Sequence, residues 1–319
     1  MSKRTALRLL VVVSILVTGV LGCAREEPQI AMGVRTANDH APFYLADKFG
    51  YYQDEGLDVA VHLVPSNTEI IEAVQRGDLQ AGAVPITTAI AAISAGVQIK
   101  IVAMTGRAGD GLLVRSDSGI ETLADLRGKR VATIRGSILD VPLRVALQDA
   151  GLDPERDVTM IYFSKLGDMI QSLETGQVDA ASNTEPFMTQ VERDGWGDIL
   201  CYYSASWPDH PCCVVFVSES LLSERPDDAV ALVRGHLRAV EYAQDHPHET
   251  AETIVAYLEA FDVPLVEASL DESKMRIDAE ITPQEVERMA GLMHQFGLIE
   301  RLPSVDELLD TSLLERARQ

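Results

Sequence analysis

The chain has 319 residues, a formal charge of −22, four cysteines and 5% aromatic residues. That length suits two compact domains or one large one and builds a core without help from a metal or disulfide. The acidity argues against nucleic acid, which needs clustered Lys and Arg, and against a peripheral protein held by anionic lipid headgroups.

The first segment reads as a targeting signal. Lys3, Arg4 and Arg8 precede an apolar run from Leu9 to Val17, extended through Leu21 and ending at Leu21-Gly22-Cys23. Charge, then an apolar run, then small residues is the anatomy of a secretory signal. The ending resembles the bacterial lipobox, whose cysteine is lipidated after cleavage. The competing reading is a plain transmembrane anchor or buried helix, but the run is short for a span. We expect residues 1–22 to be a lipoprotein signal peptide, Cys23 the lipidation site and 23–29 a tether. No GxxxxGK[ST] or GxGxxG occurs, and an exported chain has no access to ATP.

Beyond the tether, strand and helix patterns alternate. Ile30–Arg35 predicts a strand, Pro42–Gly50 a helix and Leu57–Val64 a Val-rich strand. Asn67 or Thr68 caps a helix through Arg76, stopped by Gly77. Ala81–Val84 is a buried strand, Pro85 opens a helix ending near Gly96, and Ile99–Met104 is another strand.

A second unit begins near Gly106. Strands are predicted at Gly111–Arg115, Val131–Ile134, Val158–Tyr162 and Val178–Ala181. Thr122–Leu126 is a helical turn, and helices run over Leu139–Ala150, from Gly167 or Asp168 to Glu174, and over Glu185–Arg193. Glu72–Gly82 and Gln171–Ala181 echo each other: a helix, a Gly, then a small-residue strand. After the loop Ala205–Pro211 comes strand Cys213–Ser218, and from Glu219 onward everything reads as helix. Helices are expected from Glu224 to Asp245, from Pro247 to Phe261, after the Thr282–Glu285 capping box, and after Pro303.

Four motifs in order resemble a known family: Asp39-His40-Ala41-Pro42-Phe43-Tyr44 with Phe49–Val59, Leu123–Ala132, Leu173–Ala181, and Glu185-Pro186-Phe187. They are similar to the nitrate, sulfonate, taurine and thiamine-pyrimidine group of solute-binding proteins for ABC transporters. The resemblance covers about residues 30 to 260. It implies an α/β, two-lobed type II periplasmic binding protein fold: mixed sheets with flanking helices and a helical C-terminal region. Lobe 1 is expected to comprise 30–106 and 205–319, and lobe 2 residues 107–204. It also implies a membrane permease and its ATPase as partners. Thr184 stands where the family often has Trp, a departure from the flat stacking contact the resemblance implies at that point.

In such folds ligands meet loops at the carboxyl ends of strands and the first turns of helices. His40 is a candidate donor to a ligand oxygen and Phe43 an apolar wall, with capping by Asn38 or Asp39 as the competing reading. Pro85 and Thr87 suit an oxyanion or carbonyl. Gly136 and Ser137 form the turn the family often uses for its ligand. Asp140 is a candidate for an amine, or simply favours the helix dipole. Asn183 and Glu185 follow another strand, with Glu185 a candidate acceptor from a heterocycle. Trp207 is a candidate stacking residue, with Asp209 and His210 as contacts. Cys201 is expected to pair with Cys212 or Cys213 in an oxidising compartment, with buried free thiols or a soft-metal site of His210 and thiolates as alternatives.

The expected function is a lipid-anchored extracytoplasmic protein that delivers a small molecule to an ABC importer by cleft closure. It is expected to be a monomer without cofactor, metal or enzymatic activity. The ligand is either a sulfonate- or taurine-like anion or a pyrimidine-like heterocycle. Alternatives are a pyrimidine-synthesis-type enzyme, an extracellular sensor domain of the same fold, and a metal- or thiol-dependent binding protein.

Overall fold

The computed structural model describes residues 29–257 and 259–319. The expected signal, the Cys23 lipidation site and the tether up to residue 28 lie outside them. No described helix is long and apolar enough to cross a membrane.

In chain order, β1 (Ile30–Val34), α1 (Ala41–Phe49), α2 (Tyr51–Asp54), β2 (Val59–Leu63), α3 (Asn67–Arg76), β3 (Ala81–Pro85) and α4 (Ile86–Ser94) precede β4 (Ile99–Ala108). Then come β5 (Asp110–Arg115), β6 (Arg130–Thr133), α5 (Val141–Asp149), β7 (Thr159–Tyr162), α6 (Leu166–Glu174), β8 (Ala180–Thr184), α7 (Phe187–Asp194) and β9 (Gly197–Tyr202). The chain closes with β10 (Pro211–Ser218), α8 (Glu219–Glu224), α9 (Pro226–Asp245), α10 (Pro247–Val255), α11 (Val263–Ser269), β11 (Met275–Arg276), α12 (Pro283–Gln295), α13 (Val305–Leu308) and α14 (Ser312–Ala317).

These strands form two mixed sheets, ordered β11-β4-β10-β3-β1-β2 and β7-β6-β8-β5-β9. Each has the same plan. A first strand lies between two parallel partners: β1 between β2 and β3, β6 between β7 and β8. Antiparallel strands then extend the sheet, β10 and β4 beside β3, β5 and β9 beside β8. The sequence echo has a structural meaning here. α3 and α6 both end near a left-handed glycine, Gly77 (φ 82°) or Gly176 (φ 71°), and lead into corresponding strands β3 and β8. The chain changes sheet at Gly109 and returns between Tyr202 and Pro211.

The core follows from the buried strands. Ile30, Met32 and Val34 of β1, Ala81, Ala83 and Val84 of β3, and Val214–Val217 of β10 are all nearly inaccessible. Gly82 admits the Phe216 ring, since a Cβ there would lie 2.7 Å from Phe216 Cζ.

Several expected boundaries move. Ser66, not Asn67 or Thr68, caps α3, because Ser66 is the extended residue whose side chain accepts from Glu69 N–H. α5 starts at Val141 because Gly136–Asp140 form a turn of their own. The expected helix 247–261 ends at Val255, and Asp262 caps the separate α11 through Leu265 N–H. The region after Glu219 is not wholly helical: β11 pairs with β4, Met275 opposite Ala108. Two residues carry no periodicity, so only the sheet edge reveals that strand. The Thr282–Glu285 capping box opens α12 as expected.

Candidate ligand-binding site

Strand direction decides where the site can form. β1 and β3 run parallel and end at Val34 and Pro85, while β4 leaves and β10 enters at that same edge. In the second sheet β6 and β8 end at Thr133 and Thr184, and β5 enters there, with Asp110 opposite Thr184. Both crossing segments therefore join the carboxyl edges of the two sheets. Loops and helix starts at those edges carry the expected contact residues.

On the first edge, a short turn Asn38–His40 precedes α1, and all three residues are buried. Asn38 Nδ2 donates to Ser269 Oγ at 2.7 Å, whereas its Oδ1 has no partner. Asp39 packs against Gly106, where a Cβ would lie 2.3 Å from Asp39 Cβ. His40 Nδ1 accepts from Arg35 N–H at 3.0 Å, so its other nitrogen carries the proton in the neutral ring. Burial pulls the His40 pKa down. Phe43 is not a cleft wall: it is fully buried between His40 (5.7 Å, edge-on) and His236 (5.0 Å, stacked). Thr87, in the first turn of α4, is fully buried and its Oγ1 has no partner. Pro85 lies opposite Cys213.

On the second edge most expected groups are already engaged. Gly136 has a left-handed backbone (φ 68°) and its N–H donates to Asp140 Oδ2 at 2.8 Å. Ser137 Oγ donates to Ile134 O at 2.6 Å and accepts from Leu139 N–H at 3.0 Å. The best-placed hydroxyl in the sequence reading thus serves its own turn. Asp140 is no amine receptor either, because its Oδ1 receives Arg144 Nε at 2.8 Å inside the lobe. Asn183 Oδ1 accepts from Thr184 N–H, and its Nδ2 donates to Leu166 O at 3.4 Å. Glu185 accepts from Thr189 N–H at 3.1 Å and Tyr202 OH at 2.5 Å, and burial raises its pKa.

The crossing segment also differs from expectation. Trp207 is buried under the Arg288 guanidinium, 4.0 Å above its ring, so the stacking face is taken by the protein itself. Asp209 faces outward, with a left-handed backbone (φ 52°) and an ion pair to Arg276 at 3.2 Å. His210 is fully buried. Its Nδ1 lies 3.2 Å from Trp207 O and its Nε2 3.0 Å from Asp110 Oδ2. A carbonyl only accepts, so Nδ1 carries a proton and the Asp110–Nε2 contact shares the next one. Burial raises the Asp110 pKa, and the hydrogen bond from His210 opposes that shift.

The three described cysteines are free thiols, which corrects the expected disulfide. Cys201 sits on β9 of the second sheet, whereas Cys212 and Cys213 sit on β10 of the first. The alternative of a soft-metal site built from His210 and the thiols is also not formed, because His210 Nε2 is bound to Asp110.

Sequence reasoning missed Asp110 and Arg107. Arg107 reaches across to Asp278 at 2.6 Å, to Glu285 and to Asp209 O at 3.0 Å, tying the crossing segment to α12. The signal was present: both are charged residues set within otherwise apolar or small-residue strands. Arg35 and Arg135, just beyond β1 and β6, were also overlooked. Neither forms an ion pair among the described residues, and Arg135 lies 5.5 Å from the Tyr162 ring centre.

Comparison with known proteins agrees with this architecture. The model of the NMT1-like family matches residues 23–259. The chain belongs to that family. Over 240 residues the NMT1-like chain is 26% identical to the nitrate import ATP-binding protein NrtC of Synechococcus elongatus, covering 70% of this chain and 36% of that one. It thus spans about a third of the length of that relative. Two solved structures share its fold. The periplasmic nitrate-binding protein NrtA of Synechocystis superposes with a TM-score of 0.78 at 17% identity, covering 92% of this chain and 89% of that one. The periplasmic aliphatic sulphonate binding protein SsuA of Escherichia coli gives 0.77 at 18% identity, covering 88% and 92%. The fold is therefore that of two-lobed periplasmic binding proteins.

Proposed function

We propose that this chain is the solute-binding component of an ABC importer and takes up a small solute rich in N–H donors, such as an aminopyrimidine or an amine. The carrying observation is unmet hydrogen-bonding capacity at the carboxyl edges of the two sheets. Asn38 Oδ1, Thr87 Oγ1 and Asp110 Oδ1 are buried without a partner, and Asp39 has no cationic partner among the described residues. Buried acceptors without donors are costly unless a ligand supplies them. Capture works through tighter binding to the closed state, with no covalent step. Export by residues 1–22 and a lipid anchor on Cys23 would hold the monomer beside its permease and ATPase. A variant with Cys23→Ser should leave the membrane fraction.

A second reading, a small sulfonate-like anion, is favoured by Arg35 and Arg135 at corresponding positions in the two lobes. The names of the relatives, nitrate and sulfonate binders, lean the same way. A thermal-shift and calorimetric panel separates the two. We expect an aminopyrimidine or taurine to stabilise the protein by about 2.7 kcal/mol at a hundredfold excess over Kd, with ethanesulfonate and nitrate inactive. Stabilisation by ethanesulfonate and nitrate alone would replace our reading with the anion one.

A further inference from the structure

A defect in the pairing of β10 puts two thiols on one face. Along regular strand the side chains of adjacent residues point to opposite faces. Here the register steps from Pro211↔Arg107 to Cys213↔Gly106 and then to Val214↔Met104, with a shift at each step. Such bulges re-aim side chains beside functional sites. The result is a Cys212 Sγ to Cys213 Sγ distance of 3.8 Å. Asp39 joins them, and one donor atom from each of the three residues lies within 4.8 Å of the others. All three are buried, with exposures of 7%, 6% and 5% for Asp39, Cys212 and Cys213.

We propose that Asp39, Cys212 and Cys213 form a site for a borderline-soft divalent cation of the zinc or cadmium type, with a fourth position left for a non-protein ligand. The inference goes beyond the solute-binding role and rests on the thiol pair, with Asp39 the one residue it shares with the solute reading above.

The geometry carries it. Two thiolates on one tetrahedral zinc, each about 2.3 Å from the ion, lie about 3.8 Å apart. The two sulfurs already stand at that separation. Two sulfurs and one carboxylate oxygen are a donor set that zinc accepts, and three protein ligands leave one position open. Gly106 makes the arrangement possible. It lies opposite Cys213 in the ladder and leaves the space that Asp39 fills.

A bound cation favours the two thiolates and the carboxylate together. On binding, each metal–sulfur bond forms as an S–H bond breaks. Two protons pass to solvent per ion, and no redox partner is needed.

The test titrates the full, reduced chain with cadmium and cobalt(II) ions. We expect a one-to-one complex with a sulfur-to-cadmium ultraviolet band, tetrahedral cobalt bands in the visible, and release of about two protons per ion. Cys212→Ser with Cys213→Ser should abolish the sulfur bands, and Asp39→Asn should weaken binding at least about tenfold. Cys201→Ser should leave both unchanged. Melting of each metal-free variant by circular dichroism checks that it folds, and Asp39→Asn, which leaves both thiols, keeps the test open should the double variant not fold. Absence of a sulfur band in the unmodified chain overturns the proposal, as does a band that survives loss of both cysteines or disappears with Cys201.

Discussion

His210 Nε2 lies 3.0 Å from Asp110 Oδ2, and the pair joins the two segments of chain that cross between the sheets. Asp110 starts β5 and His210 immediately precedes β10, so the contact ties one crossing to the other. Because His210 Nδ1 donates to Trp207 O, the pair shares a single proton between Nε2 and the carboxylate. This neutral, fully buried link sits where the chain crosses between the two sheets.

Replacing Asp110 separates charge from hydrogen bonding. In Asp110→Asn the amide donates to Nε2, so stability at neutral pH should stay within about 1 kcal/mol, whereas Asp110→Ala should cost about 3 kcal/mol by orphaning His210. The carboxyl has a raised pKa in the fold, so its contribution is present below the ordinary value of 3.8 and is lost as pH rises through the raised value. In urea unfolding from pH 4 to 7, the stability of the unmodified chain relative to the Asn variant should fall as pH rises.

His236 has the opposite sign. It is buried, donates from Nε2 to Met104 O at 2.7 Å, and burial lowers its pKa from 6.5 to about 4. The unfolded chain binds more protons between those values, so stability rises with pH across that window. About 3 kcal/mol should be lost on acidification from pH 7 to 4, and His236→Gln should remove most of that slope. A slope unchanged by the substitution would mean that other groups, such as His40, govern it.

Thr87→Val distinguishes a site residue from a core residue. The hydroxyl is buried without a partner, so an apolar replacement of the same shape should keep or raise stability, by up to about 1 kcal/mol. Solute affinity should fall about tenfold, the worth of one good hydrogen bond. Equal affinity, measured by calorimetry, would place Thr87 outside the contact set.

Gly106→Ala probes the packing beneath Asp39. A methyl group 2.3 Å from Asp39 Cβ has to displace the Asn38–His40 turn or the strand. Overpacking of this kind costs about 1–3 kcal/mol. Denaturant melts should show that loss, together with weakened solute binding.

The alternation of elements, the capping box at Thr282 and the paired helix-glycine-strand units were legible because they rest on local rules of periodicity, capping and left-handed glycine. The candidate site was legible only by loop. His40, Thr87 and Glu185 stand in turns at the carboxyl edges of the sheets, whereas Ser137, Asp140 and Trp207 are consumed by Ile134 and Leu139, by Arg144 and by Arg288. Which polar group finds an internal partner depends on side chains brought together by packing, and spacing along the chain says nothing of that.

The sequence by itself determined the two α/β units, their family and the turns at their strand ends, since hydrophobic period and turn chemistry act over a few residues. Only the tertiary structure decided that Asp110 meets His210, that Asn38 and Thr87 keep unmet acceptors, and that a bulge aligns Cys212 with Cys213 beside Asp39. Those contacts depend on strand register and on the crossing of distant segments, which form when the sheets pair and the core closes.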